Sequence, residues 1–134
     1  MSSGNYKHTE LTEEVISAFY KVYNVLGYGF LEKVYENALY LELKEMNFDV
    51  EQQKPIEVKY EGQSVGSYFA DLVVDRTIII ELKAAEKLIE DHEFQLINYL
   101  KATDMEVGLL LNFGKKPEIR RKVFSAQYKS KERS

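Results

Sequence analysis

The chain has 134 residues, of which 45% are hydrophobic and 30% are charged, with a formal net charge of −4. This balance suits one globular domain and excludes a mostly disordered chain. The absence of cysteine excludes disulfide scaffolds, thiolate zinc sites and cysteine nucleophiles, and two histidines exclude a metal site built on several imidazoles. No apolar run reaches the ~20 residues of a membrane helix, and the N-terminus lacks the apolar stretch of a secretory signal. We therefore expect a cytoplasmic, non-membrane protein with one domain over 1–134 and flexible ends at 1–10 and 125–134.

Two helices are predicted first. Apolar residues recur at helical spacing from Leu11 until the glycines at 27 and 29 stop the helix. A second broad apolar face begins at Leu31 and ends near Asn47, because asparagine tolerates the left-handed conformation at a helix end.

The apolar period then changes from that of a helix to that of a strand. Alternation and turn signals predict strands at 56–60, 64–74 and 77–83. Helical spacing returns over 91–103, and further strands are predicted at 106–113 and, at a sheet edge, 119–124. This order predicts an α/β (α+β) fold in which helices flank a mixed β-sheet.

Three charged residues of the predicted hairpin are candidates for chemistry. Asp71 lies in an apolar strand, where a charge is costly unless it is compensated. Glu81 and Lys83 are two residues apart on the next strand, so their side chains project to one face. A two-residue turn would place Asp71 opposite Ile80, on the other face, whereas a three-residue loop or a bulge would place it opposite Glu81. A shared site requires the odd loop or the bulge, and we predict one.

Two carboxylates whose backbones are about 5 Å apart cannot both stay ionised without a counter-charge. Lys83 supplies one, and a divalent cation supplies a stronger one; oxygen ligands suit Mg²⁺ or Mn²⁺. A metal there could acidify a bound water and neutralise charge on a phosphate, while the ammonium positions that water. The alternative is a structural, salt-bridged pair of strands.

Asp71 followed by Glu81-Leu82-Lys83, between helices and strands in this order, resembles the PD-(D/E)XK nuclease superfamily, with its restriction-endonuclease-like core. Residues 29–35, Gly-Phe-Leu-Glu-Lys-Val-Tyr, match the G-x-x-E-x-x-Y signature of a family of small prokaryotic proteins in that superfamily. Residues 95–99, Gln-Leu-Ile-Asn-Tyr, match the Q-x-x-x-Y element of its RecB-type members. The resemblance runs from about residue 11 to 124, with alanine in place of the motif's proline before Asp71.

The resemblance implies a metal-dependent nuclease. Asp71 and Glu81 would be metal ligands, with the main-chain carbonyl of Leu82 as a third and Mg²⁺ or Mn²⁺ as the ion. Lys83 would be the catalytic lysine. The substrate would be nucleic acid, DNA more than RNA.

Three residues on predicted helices join the site through the same resemblance, Glu32 and Gln95 as catalytic residues and Tyr99 as a substrate-binding residue. Glu32 would complete or tune the metal shell, although the helix dipole favours a carboxylate in a first turn in any case. Gln95 and Tyr99 share one helical face and would face the site, Tyr99 as a substrate contact. Packing of Tyr99 in the core is the alternative.

The basic residues are concentrated at one end of the chain. Residues 115–133 carry +6, which leaves −10 for the remainder. We expect this segment to contact the phosphate backbone, although a merely solvated tail fits the charge equally well. The contacts predicted here are Lys115, Lys116, Arg120 and Arg121. A catalytically weak module that binds nucleic acid or a protein partner is the alternative function, and a homodimer or partner could present the substrate.

Overall fold

The computed structural model describes residues 8–128; the predicted flexible ends lie outside this range over residues 1–7 and 129–134. Its elements, in chain order, are α1 Thr9–Leu26, α2 Glu32–Glu45, β1 Val50–Tyr60, β2 Gln63–Val74, β3 Ile78–Lys83, α3 Glu90–Lys101, β4 Val107–Phe113, β5 Pro117–Val123 and a short 3₁₀-helix, Ala126–Tyr128. None of these helices is long and apolar enough to cross a membrane.

The predicted elements are all present, and their limits differ at a few ends. The first helix begins at Thr9, two residues before the predicted start, and Asn47 adopts the left-handed conformation expected after α2. The first strand begins at Val50 instead of residue 56, because polar residues and Pro55 hide the alternation of its first half. Proline is tolerated there because β1 is an edge strand.

The five strands form one mixed sheet in the order β1-β2-β3-β4-β5. Strands β3 and β4 are parallel, and the other neighbours are antiparallel. The crossover between the parallel strands is α3, which covers one face with Leu96, Tyr99 and Leu100. Helices α1 and α2 cover the other face, where the larger core lies. The predicted sandwich with a mixed sheet and an edge strand at β5 is therefore confirmed.

Strand β2 changes the face to which its even-numbered residues point. Leu72 packs in the core beneath α1 and α2, whereas Ala70 packs in the core beneath α3. Gln53 of β1 lies opposite this point and has φ 54°. Gln53 and Asp71 would be partners in a regular β1–β2 register, but the observed register omits this pair. A break of this kind re-aims side chains, as a β-bulge does. Asp71 lies at this irregular point of the sheet.

Candidate active site

The hairpin that carries the acidic residues has the predicted odd loop. Three residues, 75–77, connect β2 to β3, and the register pairs Leu72 with Ile80. Asp75 and Arg76 both have positive φ, which closes the loop tightly. Continued by one residue, this register sets Asp71 opposite Glu81.

The backbone hydrogen bonds between β2 and β3 end before this pair, and hydrogen bonds from backbone N–H groups to the two carboxylates replace them. The Asp71 N–H donates to Glu81 Oε2 at 2.9 Å, and the Leu82 N–H donates to Asp71 Oδ2 at 2.8 Å. Each strand thus binds the carboxylate of the other. The predicted convergence of Asp71 with Glu81 is therefore present in the fold.

The negative charges of Asp71 and Glu81 are not fully compensated by positive charge in the site. Burial is the main reason that the pKa of Glu81 rises to about 8, and the Asp71 carboxylate beside it raises it further. Burial also raises the pKa of Asp71, against the lowering effect of the Leu82 N–H bond. Both carboxyls therefore bind a proton or a cation more readily than a solvent-exposed carboxyl does, because burial and a neighbouring negative charge disfavour the ionised form.

Lys83 lies at the end of β3 on the same face as Glu81, as the two-residue spacing predicts. Its charge lowers the pKa of Glu81, but less than burial raises it. The Lys83 side chain is half-buried, and no hydrogen bond ties its ammonium to another residue within 8–128. It is available to a substrate or to a water.

Glu32 is the first residue of α2 and is exposed. Its charge raises the pKa of both Asp71 and Glu81, so it acts electrostatically on the site. Tyr35 fixes the turn that leads to it: the Tyr35 hydroxyl donates to the Gly27 carbonyl at 2.6 Å and accepts from the Phe30 N–H at 3.1 Å. The tyrosine of the G-x-x-E-x-x-Y segment is thus a buried support for the turn.

Glu36 was missed by the sequence analysis. It lies one turn after Glu32 and is 5% exposed, and its charge is one of the causes that raise the pKa of Asp71. The Gln53 amide links the two, since Nε2 donates to both carboxylates of Glu36 and Asp71 at 3.1 and 3.3 Å. The four-residue spacing from Glu32 could have identified it, because residues i and i+4 share a helical face.

Gln95 and Tyr99 lie on the opposite side of the site, on α3. Gln95 Nε2 donates to the Tyr99 hydroxyl at 3.2 Å. Burial, followed by the charges of Glu81 and Asp71, raises the pKa of Tyr99 to about 12. The phenol therefore stays protonated beside the carboxylates. Tyr99 is 6% exposed, so it packs in the core as the alternative interpretation expects, and it lies close enough to Glu81 and Asp71 for their charges to act on it.

Two of the basic candidates lie at the correct end of the sheet. Lys115 and Lys116 are exposed in the turn after β4, at the end where Lys83 closes the parallel strand β3. Their ammonium groups can reach solvent on this side of the molecule.

The two arginines are separated by the sheet. Arg120 pairs with Leu110, which pairs with Glu81, so Arg120 shares the face of the carboxylates. Its guanidinium lies 3.5 Å from the Glu93 carboxylate and 3.6 Å from that of Glu118. Arg121 follows on the opposite face, because neighbouring strand residues alternate. The two cannot approach one phosphate of a substrate together.

The donor set fits a hard divalent cation. Within residues 8–128 no three acidic or histidine side chains are already arranged as a cage around an ion. Mg²⁺ does not need such a cage, since it is commonly held by one or two carboxylates, water and substrate phosphate. Asp71, Glu81 and the Leu82 carbonyl can supply the protein oxygens, and a bound cation would offset the burial and the neighbouring negative charges that raise the pKa of both carboxyls.

Comparison with known proteins bears on the fold and on the family. The crystal structure of SSO0001 is similar in fold, with a TM-score of 0.51 and 22% sequence identity, over 89% of this chain. The aligned part is 60% of that protein's chain. No curated protein matches the sequence. The family model of the PD-(D/E)XK nuclease superfamily matches residues 9–122, almost the whole described chain. The chain therefore belongs to the PD-(D/E)XK nuclease superfamily.

Proposed function

We propose that this protein is a Mg²⁺- or Mn²⁺-dependent nuclease that hydrolyses phosphodiester bonds, in DNA more than in RNA. The observation that carries the proposal is the pair of desolvated carboxylates, Asp71 and Glu81, bridged to each other's strands with Lys83 on the same face. Membership of the superfamily supports nuclease activity.

In this proposal Asp71, Glu81 and the Leu82 carbonyl hold the metal ion, and Glu32 completes or tunes its surroundings. The bound cation supplies an acidified water and neutralises charge on the phosphate. Lys83 orients the attacking water by hydrogen bonding, since its ammonium has no protein partner among the described residues. Gln95 and Tyr99 bind the substrate from α3, where the neutral phenol can donate to a phosphate oxygen.

We also propose assignment to the G-x-x-E-x-x-Y group of prokaryotic members. The support is the buried Tyr35, whose hydroxyl bonds shape the turn before Glu32.

A cytoplasmic location fits a chain without cysteine. Lys115 and Lys116 would contact the phosphate backbone. Arg120 and Arg121 would do so from opposite faces of the sheet, Arg120 only by exchanging its contacts with Glu93 and Glu118. A homodimer or a protein partner would extend this small contact surface.

The test is cleavage of single- and double-stranded DNA and RNA with Mg²⁺ or Mn²⁺, comparing the parent with Glu81→Gln and Lys83→Met. We expect both variants to lose roughly 100-fold or more in rate, as removal of a charge-stabilising or proton-transferring group does. Glu57→Gln is the matched control, because its carboxylate is half-exposed on β1, where its ion pair among residues 8–128 is with Lys59 at 3.9 Å. If the parent cuts none of these substrates, the proposal is wrong.

A second candidate is a binding module with little catalysis. It is favoured by the bonds that both carboxylates make to backbone N–H groups, which give the pair a structural use as a clasp between strands. Calorimetric titration discriminates between the two. Divalent binding that is lost in Asp71→Asn supports the nuclease, and its absence in the parent supports the module.

A further inference from the structure

One side of the carboxylate site carries an exposed aromatic ring. Tyr68 lies on β2, and half of its side chain is open to solvent (50%) although its ring contacts that of Tyr99. The two ring centroids are 5.6 Å apart, at an angle of 42°. Tyr99 contacts one side of the Tyr68 ring, and the exposed half of the side chain remains available.

The ring lies on the same strand as one of the two carboxylates. Tyr68 precedes Asp71 by three residues, about 10 Å along a strand. The Tyr99 hydroxyl, which Gln95 holds, feels the charges of both Glu81 and Asp71. An aromatic pair therefore extends from the carboxylates, through the buried Tyr99, to the exposed surface of Tyr68.

The charges around this surface do not suit a duplex. Duplex binding depends on cations that neutralise many phosphates. On the same face, Arg120 already pairs with Glu93 and Glu118, and Lys122 donates to Glu93 at 2.5 Å. Stacking of a base on an aromatic ring uses the π-face of the base and does not itself require a cation.

We propose that the substrate is a single-stranded nucleic acid, and that a base next to the cleaved phosphate stacks on the outer face of Tyr68. The inference rests on the proposed function for the position of that phosphate. Tyr68 is a specificity-determining residue in this scheme, because only an unpaired base exposes its face to the ring.

The test is fluorescence anisotropy with labelled oligonucleotides, in Ca²⁺ in place of Mg²⁺ so that they stay intact. The probes are a 12-nucleotide thymidine strand, a 12-nucleotide uridine strand and a 12-base-pair DNA duplex. We expect a single strand to bind at least tenfold more tightly than the duplex, and comparison of the two strands distinguishes DNA from RNA.

Three variants locate the contact. Tyr68→Leu keeps an apolar contact with Tyr99 but has no ring, and we expect it to weaken single-strand binding by about 5- to 150-fold. Tyr68→Phe should bind as the parent does, since stacking does not use the hydroxyl. Phe69→Leu is the matched control, because Phe69 is 54% exposed and alternates to the opposite face of β2.

Equal or tighter duplex binding would overturn the inference, as would a Tyr68→Leu effect under twofold or an equal loss in Phe69→Leu. Failure to bind either strand would overturn it too. In each case the nuclease proposal is judged separately, by the Mg²⁺ cleavage assay with Glu81→Gln.

Discussion

Replacement of Glu81 by glutamine should stabilise the metal-free protein while abolishing cleavage. The Glu81 side chain is 6% exposed and faces the Asp71 carboxylate, so its ionisation is opposed by burial and by a like charge. Glutamine keeps the carbonyl that can accept the Asp71 N–H and removes the charge. The substitution is therefore expected to relieve a cost that the parent bears for its function.

The size of this effect follows from the pKa of Glu81, which rises from 4.5 to about 8. A carboxyl whose pKa is raised by folding stabilises the fold below pH 4.5 and loses that contribution as the pH rises through about 8. With about 1.4 kcal/mol for each pKa unit, the loss is about 3 kcal/mol at pH 7 and about 5 kcal/mol at pH 9. At pH 5 it is less than about 1 kcal/mol.

The assay is urea denaturation in EDTA at pH 5, 7 and 9, with Glu57→Gln as the exposed control. The free energy of unfolding of Glu81→Gln should exceed that of the parent by these amounts, and the control should follow the parent at every pH. A difference between Glu81→Gln and the parent that does not change between pH 5 and pH 9 would refute the reasoning, because the burial of an ionised Glu81 would then carry no cost.

Three further predictions concern the metal and the core. Saturating Mg²⁺ should raise the melting temperature of the parent by several degrees and leave Asp71→Asn unchanged; equal shifts in a thermal melt would place the ion elsewhere. Asn112→Ala removes the side chain that accepts from the Ala85 N–H and donates to the Ala85 carbonyl, at 2.9 and 3.0 Å. We expect a loss of about 2–4 kcal/mol in urea denaturation, and a loss below 1 would contradict this. Gly108→Ala would place a Cβ 2.7 Å from Leu96 Cδ1. We therefore expect urea denaturation to show that the free energy of unfolding falls by about 1–3 kcal/mol. An unchanged midpoint would mean that α3 moves freely away from β4.

The hairpin shows what the spacing of residues along the chain can predict by itself. Because side chains alternate along a strand, Glu81 and Lys83 had to share a face, and a shared site with Asp71 required an odd loop. The structure has that loop, with the Leu72–Ile80 pair setting the register. The sequence could state the requirement, but only the folded loop shows that it is met.

Glu36 and Arg120 show where the sequence reasoning stopped. Glu36 is one of several glutamates on α2. Its carboxylate accepts from Gln53, which is seventeen positions away and in a left-handed conformation that no local pattern predicts. Arg120 was a candidate phosphate contact because of its charge. Its contact with Glu93 depends on the tertiary structure, because α3 packs on the face of the sheet to which the Arg120 side chain points.

The amino-acid sequence by itself determined the helices, the strands and the i, i+2 placement of Glu81 and Lys83, since these follow from periods of the backbone that extend over a few residues. Tertiary structure alone decided which distant groups meet. The three-residue loop sets Asp71 opposite Glu81, and α3 brings Tyr99 against Tyr68. The physical reason is that burial and charge pairing depend on distances through space, which the register of the sheet and the crossover of α3 fix and local spacing does not.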